Sequence, residues 1–280
     1  MKIQTISICS LNHKAVWQLT SSLLPEFVKA DEYLVYVPEN EVEEFKKFTN
    51  PALTICSQSD LGNAYSEELL LRISSANNQI RFGWYLQQFF KIEALMTSTA
   101  DYVVIWDSDC VPVSPIPVID ELGCPVFMSS AGEYNQPYFD SIKRLLGLDR
   151  AQDFSFVIPG FPIPKTWLRE FEQLILERHE GKSWSEAIMD TTDFALFSGF
   201  SETETLGTFV ANAYPDEWST FLGNWERRGQ KRFGYARKFT PERIKQIGQA
   251  AKLDIISFEN WDTRGFRLLL KRIREKCKLI

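Results

Sequence analysis

Four apolar runs in the first part of the chain are separated by segments of helical character, and this alternation limits the fold more than any other feature. IQTISIC (3–9), YLVYV (33–37), ALTIC (52–56) and YVVIW (102–106) each have the length and composition of a strand. Helical spacing covers Ala15 to Val28, and a short charged helix covers Glu41 to Phe48. Trp84 to Thr97 reads as a buried helix: Trp84, Gln88, Lys91, Ile92 and Leu95 share a face, with Tyr85, Phe89 and Met96 beside it. Strands joined through helices pair in parallel, with the helices laid on the faces of the sheet. The intervening stretch 57–80 is rich in Ser and Asn and has no clear period. It is expected to be a long loop with one helical turn, and loops of that size are usually functional.

Further along, strands are expected at Pro125 to Ser129, at the start of FSFVIPGFPIP (154–164, strand then turn), at Arg232 to Ala236 and at Leu253 to Phe258. Helices are expected at Tyr138 to Leu146, Lys165 to His179, Ser183 to Leu196, Ser201 to Ala211, Pro241 to Ala251 and from Thr263 onward. Ser183 with Glu186 forms a capping-box pattern, and Thr240 is a natural N-cap. No internal repeat or linker divides the chain. One α/β domain over 1–258 with a C-terminal helix over 259–280 is the simplest organisation.

Composition removes several function classes. The net charge is -6, whereas a general nucleic-acid binder is normally basic. The five cysteines (Cys9, Cys56, Cys110, Cys124, Cys277) are scattered without a CxxC pair, which argues against a disulfide framework or a zinc site and fits a reducing cytoplasm. With only His13 and His179, a metal here would be a hard, oxygen-ligated cation. No apolar run approaches the roughly 20 residues that span a bilayer, and MKIQTISICSLNHK reads as a first strand, not a signal peptide.

The chemistry gathers where YVVIW ends in Asp107-Ser108-Asp109. Two carboxylates so close repel, and burying either without a partner is costly. Three explanations fit. Asp-Ser-Asp is a turn sequence whose side chains bond their own backbone. DSDCV also matches the aspartate nucleophile pattern of haloacid-dehalogenase-type phosphatases, though it falls on a late strand and lacks a downstream acidic pair. Finally, an acidic pair at the C-terminal edge of a parallel sheet suits a divalent cation bridging the diphosphate of a nucleotide-sugar, where the leaving group's charge must be stabilised.

Three motifs in order carry a resemblance: GWYLQQFFKIEAL (83–95), IWDSDCVPVSPI (105–116) and FSETETLGTFV (200–210). Together they resemble GT-A-fold glycosyltransferases, and especially a domain-of-unknown-function group of bacterial glycosyltransferase-like proteins associated with surface polysaccharides. In that group a GW-x-x-QQ-x-x-K helix precedes the D-x-D strand end and an S-E-x-E-x-x-G segment follows. The similarity spans roughly residues 1 to 215. It implies a Rossmann-like sheet binding a nucleotide-sugar, most plausibly a UDP-sugar, with Mn²⁺ or Mg²⁺ on Asp107 and Asp109. It also implies donor contacts from Lys91, Gln87, Gln88 and Ser108, and base or ribose contacts from Ser10, Asn12 and His13. The sequence departs from the pattern at PGFPIP (159–164), where a polar, often His-containing turn is expected.

Glu202 and Glu204 are the second acidic group. Glu204 stands three residues after Ser201, so a capping box accounts for it locally. Glu202 is not needed by that box and is the first candidate for the acceptor-side role, with Glu204 second: in an inverting transferase the carboxylate that takes the acceptor hydroxyl's proton, in a retaining one a nucleophile or a stabilising group beside the oxocarbenium-like centre. Asp190 and Asp193 rank lower. The expected acceptor is a surface-polysaccharide or lipid-linked glycan. The rival functions are a phosphatase or nucleotidyltransferase using the same aspartates, and a non-catalytic sugar-nucleotide-binding subunit.

The segment 264–280 carries seven basic residues against the single acid Glu275, with Phe266, Leu269, Leu270, Ile273, Cys277 and Ile280 at helical spacing. Such a helix either lies on an anionic membrane surface or packs on the domain with its basic face solvated. The expected location is cytoplasmic, with peripheral attachment to the inner face of the membrane through this helix.

Overall fold

A computed structural model describes residues 1–62, 67–76, 81–129 and 133–259. The basic segment 264–280, and with it the expected C-terminal helix and its membrane contact, lies outside the described residues.

The expected parallel sheet is present. Its strands are β1 (Ile3–Ile8), β2 (Glu32–Val37), β3 (Thr54–Ser57) and β4 (Tyr102–Trp106), all mutually parallel, and an antiparallel fifth strand β7 (Gly160–Pro164). The order is β3-β2-β1-β4-β7. The central strands read as near-continuous apolar runs because both faces of a parallel sheet are covered. Val103, Val104, Ile105 and Trp106 of β4 are all buried. The polar Ser7 of β1 is tolerated there because its hydroxyl donates to the Trp106 carbonyl at 2.9 Å.

Two smaller sheets complete the fold. Strands β5 (Cys110–Pro112), β9 (Trp225–Glu226) and β10 (Ile255–Ser257) are ordered β5-β10-β9, and β6 (Val126–Ser129) pairs with β8 (Ser219–Leu222). Helix α1 (Lys14–Phe27) packs on β5, with Val16, Leu19 and Leu23 meeting Val111, Val113 and Ile256. On the main sheet lies α4 (Phe82–Thr97), against β1 and against two later helices, α6 (Lys165–Arg178) and α8 (Glu202–Ala213). Between these come α2 (Val42–Phe45), α3 (Glu67–Ser75), α5 (Gln136–Leu146) and α7 (Trp184–Thr191). Among the described residues the last two helices are α9 (Gly229–Phe233) and α10 (Pro241–Ala251).

Several boundaries differ from expectation for identifiable reasons. The expected loop 57–80 contains α3, which buries only Leu69 and Ile73, an i,i+4 pair too sparse to stand out in a polar stretch. In FSFVIPGFPIP the strand is the second half, not the first: Pro162 and Pro164 sit on β7, the sheet's edge, where a missing N–H breaks no inner ladder. Residues 229–233 form α9 instead of a strand, which ends at Gly234 with φ +101. Helix α7 stops at Thr191 and does not run to Leu196, although its Ser183–Glu186 capping box forms on both sides.

At Ser201 the expected capping box is only half formed. The Ser201 hydroxyl accepts from the Glu204 N–H at 3.3 Å, but the Glu204 carboxylate turns away to Ser155 Oγ (2.5 Å) and the Phe156 N–H (3.1 Å). One turn later Gly207 lies flat on Phe156. A Cβ there would come within 2.0 Å of the ring, which explains the glycine in the S-E-x-E-x-x-G pattern. No helix among the described residues is long and apolar enough to cross a membrane.

Candidate functional site

The strand order reverses between β1 and β4, each of which is continued on its far side by a different connection. In open α/β sheets a crevice forms outside the carboxyl ends of the strands at such a point. Here it is a cleft of about 830 Å³, within the range of small-molecule sites. The turn after β1 brings Ser10, Asn12 and His13 to it, and the turn after β4 brings Asp107, Ser108 and Asp109. Helix α4 contributes Gln87 and Lys91, and the first turn of α8 contributes Glu202.

Lys91 joins these elements. Its Nζ lies 2.6 Å from Asp107 Oδ1 and 2.6 Å from Glu202 Oε1. Lys91 and Glu202 are buried, while the Asp107 side chain is about a third exposed toward the cleft. Burial alone would lower the Lys91 pKa, but the two carboxylates outweigh it and hold the ammonium well above its usual range. The Glu202 N–H is fixed by Gln88 Oε1 at 3.1 Å, so two residues of the QQ-x-x-K helix together position the first turn of α8. Gln87 donates to the Ile8 carbonyl at 3.4 Å and ties α4 to the end of β1. Asp107 is held from behind by its own N–H, which donates to the Pro159 carbonyl at 2.9 Å.

Asp109 has a different environment. Burial is the main cause that raises its carboxyl; His13 opposes this, Asp107 adds to it and Lys91 opposes it. Glu259 lies close by and is pushed up to about 8, first by burial and then by the charge of Asp109, with Arg227 opposing. Ser108 is buried and its hydroxyl faces the Cys9 thiol, itself pushed up to about 12 by burial. Glu204 does not line the cleft: it is buried behind it with Ser155 and Phe156, and its Oε1 has no hydrogen-bond partner among the described residues. Asp190 is also elsewhere, paired with Arg72 and Lys182.

Glu259, Arg227 and Glu133 were not anticipated. Strand β10 returns antiparallel to β5, with Ser257 opposite Cys110, and the Phe258 N–H donates to the Asp109 carbonyl at 2.9 Å. Glu259 therefore arrives beside the acidic pair from the far end of the chain. Arg227, laid over the Trp225 ring at 4.6 Å, bonds Glu133 and stands 3.6 Å from Glu259. The only sequence signal was the basic run in WERRGQ after an apolar segment.

Among the described residues no three His, Cys, Asp or Glu side chains converge closely enough to hold a metal by themselves. The donor set is nonetheless suited to a hard cation. Asp107 and Asp109 offer carboxylate oxygens, and a divalent cation would favour the ionised forms of Asp109 and Glu259, which burial first and neighbouring carboxylates second disfavour. The remaining coordination would come from ligand oxygens.

Because the folded-state value of Glu259 lies above its unfolded value of 4.5, the folded protein binds more protons than the unfolded chain between about 4.5 and about 8. This contribution favours the fold at low pH and is lost as pH rises through about 8. Glu259→Gln is expected to raise the melting temperature more at pH 8 than at pH 5. A pH-independent difference between variant and wild type would contradict this placement of Glu259.

The fold and cleft define an α/β protein with acidic side chains gathered in a cleft at the switch point of its sheet. The chain belongs to DUF6492, a family of unknown function whose model matches residues 15–219. That range contains Lys91, Asp107, Asp109 and Glu202 and leaves Arg227 and Glu259 outside it. No curated protein matches the chain. Among solved structures, mouse xyloside xylosyltransferase 1 in its apo form is similar, with a TM-score of 0.49 and 10% identity over 93% of this chain and 98% of that one.

Proposed function

We propose that the chain is a glycosyltransferase that moves a sugar from a nucleotide diphosphate donor, a UDP-sugar foremost, to a glycan acceptor of a surface polysaccharide or lipid-linked kind. The observation that carries this is the Lys91 ammonium joining Asp107 and Glu202 in one ligand-sized cleft at the sheet's switch point. It ties all three motifs of the sequence resemblance to a single site.

Asp107 and Asp109 would hold Mn²⁺ or Mg²⁺, which when bound supplies positive charge to the diphosphate. Ser10 and Asn12, which line the cleft, would contact the base and ribose, and Ser108 and Gln87 the rest of the donor. Glu202 faces the acceptor. Its Oε1 is engaged by Lys91, so its Oε2 is the atom that takes the proton of the attacking hydroxyl. As that proton leaves, the hydroxyl oxygen bonds the anomeric carbon and the diphosphate departs with the electron pair of the breaking bond. Lys91 holds the carboxylate of Glu202 and Gln88 its backbone N–H for this task. Glu204 supports the start of α8 from behind.

A thermal-shift screen with UDP-, GDP- and CMP-sugars, each with and without Mn²⁺, tests the proposal. Stabilisation by one nucleotide class that requires Mn²⁺ is expected. Stabilisation by none would overturn it, and stabilisation by simple phosphate esters instead would favour chemistry at phosphorus.

A further inference from the structure

Phe197 is 62% exposed at the wall of the cleft, yet its loop is fastened at successive residues. The buried Tyr85 hydroxyl donates to the Leu196 carbonyl (2.8 Å) and accepts from the Gly199 N–H (2.7 Å). Arg81 Nε donates to the Phe197 carbonyl (2.9 Å) and its Nη2 to Ser198 Oγ (3.0 Å). Asn135 Nδ2 holds the Ser198 carbonyl at 2.9 Å. Gly199 closes against the Asp193 carbonyl so tightly that a Cβ would stand 2.4 Å from that oxygen. The Arg81 guanidinium lies 4.0 Å over the Trp84 ring and 4.1 Å over the Phe197 ring, setting the tilt of the latter.

Fixing an exposed aromatic ring costs conformational entropy and gains little burial, so folding alone does not account for it. Phe197 is not a lone surface residue but lines the cleft, and ligand clefts are lined by aromatic side chains with a few polar groups among them. Arg81 covers one face of this ring, and Ser198, Glu133 and Tyr138 line the cleft wall with it. A pyranose ring has the matching pattern, a face of C–H groups bordered by hydroxyls. Phe197 also stands on the chain segment that leads directly into Glu202, not on the β1 side where a nucleotide base would dock.

We infer that the face of Phe197 turned away from Arg81 is the stacking platform for a pyranose ring of the saccharide acceptor. That the saccharide is an acceptor rests on the proposed transferase activity; that the ring binds here does not. The test is saturation-transfer difference NMR on the full chain. The probes are the methyl β-glycosides of glucose, galactose, xylose and N-acetylglucosamine at millimolar concentration. At least one glycoside is expected to receive saturation, strongest on its ring C–H protons. Phe197→Ala should weaken this about fivefold, as loss of one aromatic contact predicts, and Phe197→Trp should retain it. No transfer to any glycoside, or full transfer with Phe197→Ala, would overturn the inference. So would a wild-type dimer that Phe197→Ala converts to a monomer in sedimentation velocity, since the ring would then serve self-association. If glycosides bind at Phe197 while the sugar-nucleotide screen is negative, the platform stands and the transferase proposal fails. The reverse result separates them the other way.

Discussion

Replacing Lys91 by Met is expected to destabilise the fold by about 3 kcal/mol and to abolish activity. Removing one member of a buried ion pair leaves its partners uncompensated, which costs about 3–5 kcal/mol; the partial exposure of Asp107 places the estimate at the lower end. Without the ammonium, Glu202 and Asp107 would face each other's charge at the base of the cleft. Chemical denaturation of the variant against wild type checks the magnitude. The double variant Lys91→Met, Glu202→Gln is expected to recover most of the lost stability, because neutralising Glu202 removes one orphaned charge, while activity stays absent. A single variant as stable as wild type would show that Lys91 does not neutralise the pair.

Asp109→Asn is expected to separate stability from function. In the metal-free protein the carboxyl of Asp109 is raised by burial and by Asp107, so its charge opposes folding. A neutral amide of the same shape is expected to hold or raise the melting temperature. Turnover measured as nucleoside diphosphate release should nonetheless fall about a hundredfold to a thousandfold, the usual effect of losing one stabiliser of a developing charge, and should no longer respond to Mn²⁺. Unchanged, metal-dependent turnover would remove Asp109 from the site.

The contrast between these two residues also explains what the sequence could disclose. YVVIW followed by Asp-Ser-Asp was legible because a central strand must be apolar throughout and its end must turn at the ligand edge. The repulsion between the two aspartates suggested a positive group near them. For Asp107 that group belongs to the chain itself, Lys91 on the preceding helix, whereas the Asp109 carboxyl stays raised because burial outweighs the opposing charges of His13 and Lys91. Their order along the chain proposed Lys91 and Glu202 together, but a contact spanning 111 positions depends on how α8 lands on α4, which no local pattern encodes.

The misses follow from the same limit. Glu204 looked like half of a capping box because the spacing is local; its carboxylate went to Ser155 and Phe156 because those come from a different part of the chain. Glu259 and Arg227 reach the cleft only because β10 reverses alongside β5, and β5 and β9, at three and two residues, are too short to register as periodic segments. The prolines of β7 read as a turn because proline's cost in a strand depends on whether a neighbour needs its N–H, and that neighbour is set by tertiary position.

On the proposed function, this cleft binds a sugar nucleotide together with a divalent cation through Asp107 and Asp109. Isothermal titration calorimetry of the full chain with UDP-sugars in the presence and absence of Mn²⁺ measures it directly. Saturable binding is predicted with Mn²⁺, weakened at least tenfold by chelation and absent from the Asp107→Asn, Asp109→Asn double variant, a loss of about 1.4 kcal/mol or more in binding free energy. Binding of equal affinity with and without the metal, or undiminished in the double variant, would contradict it.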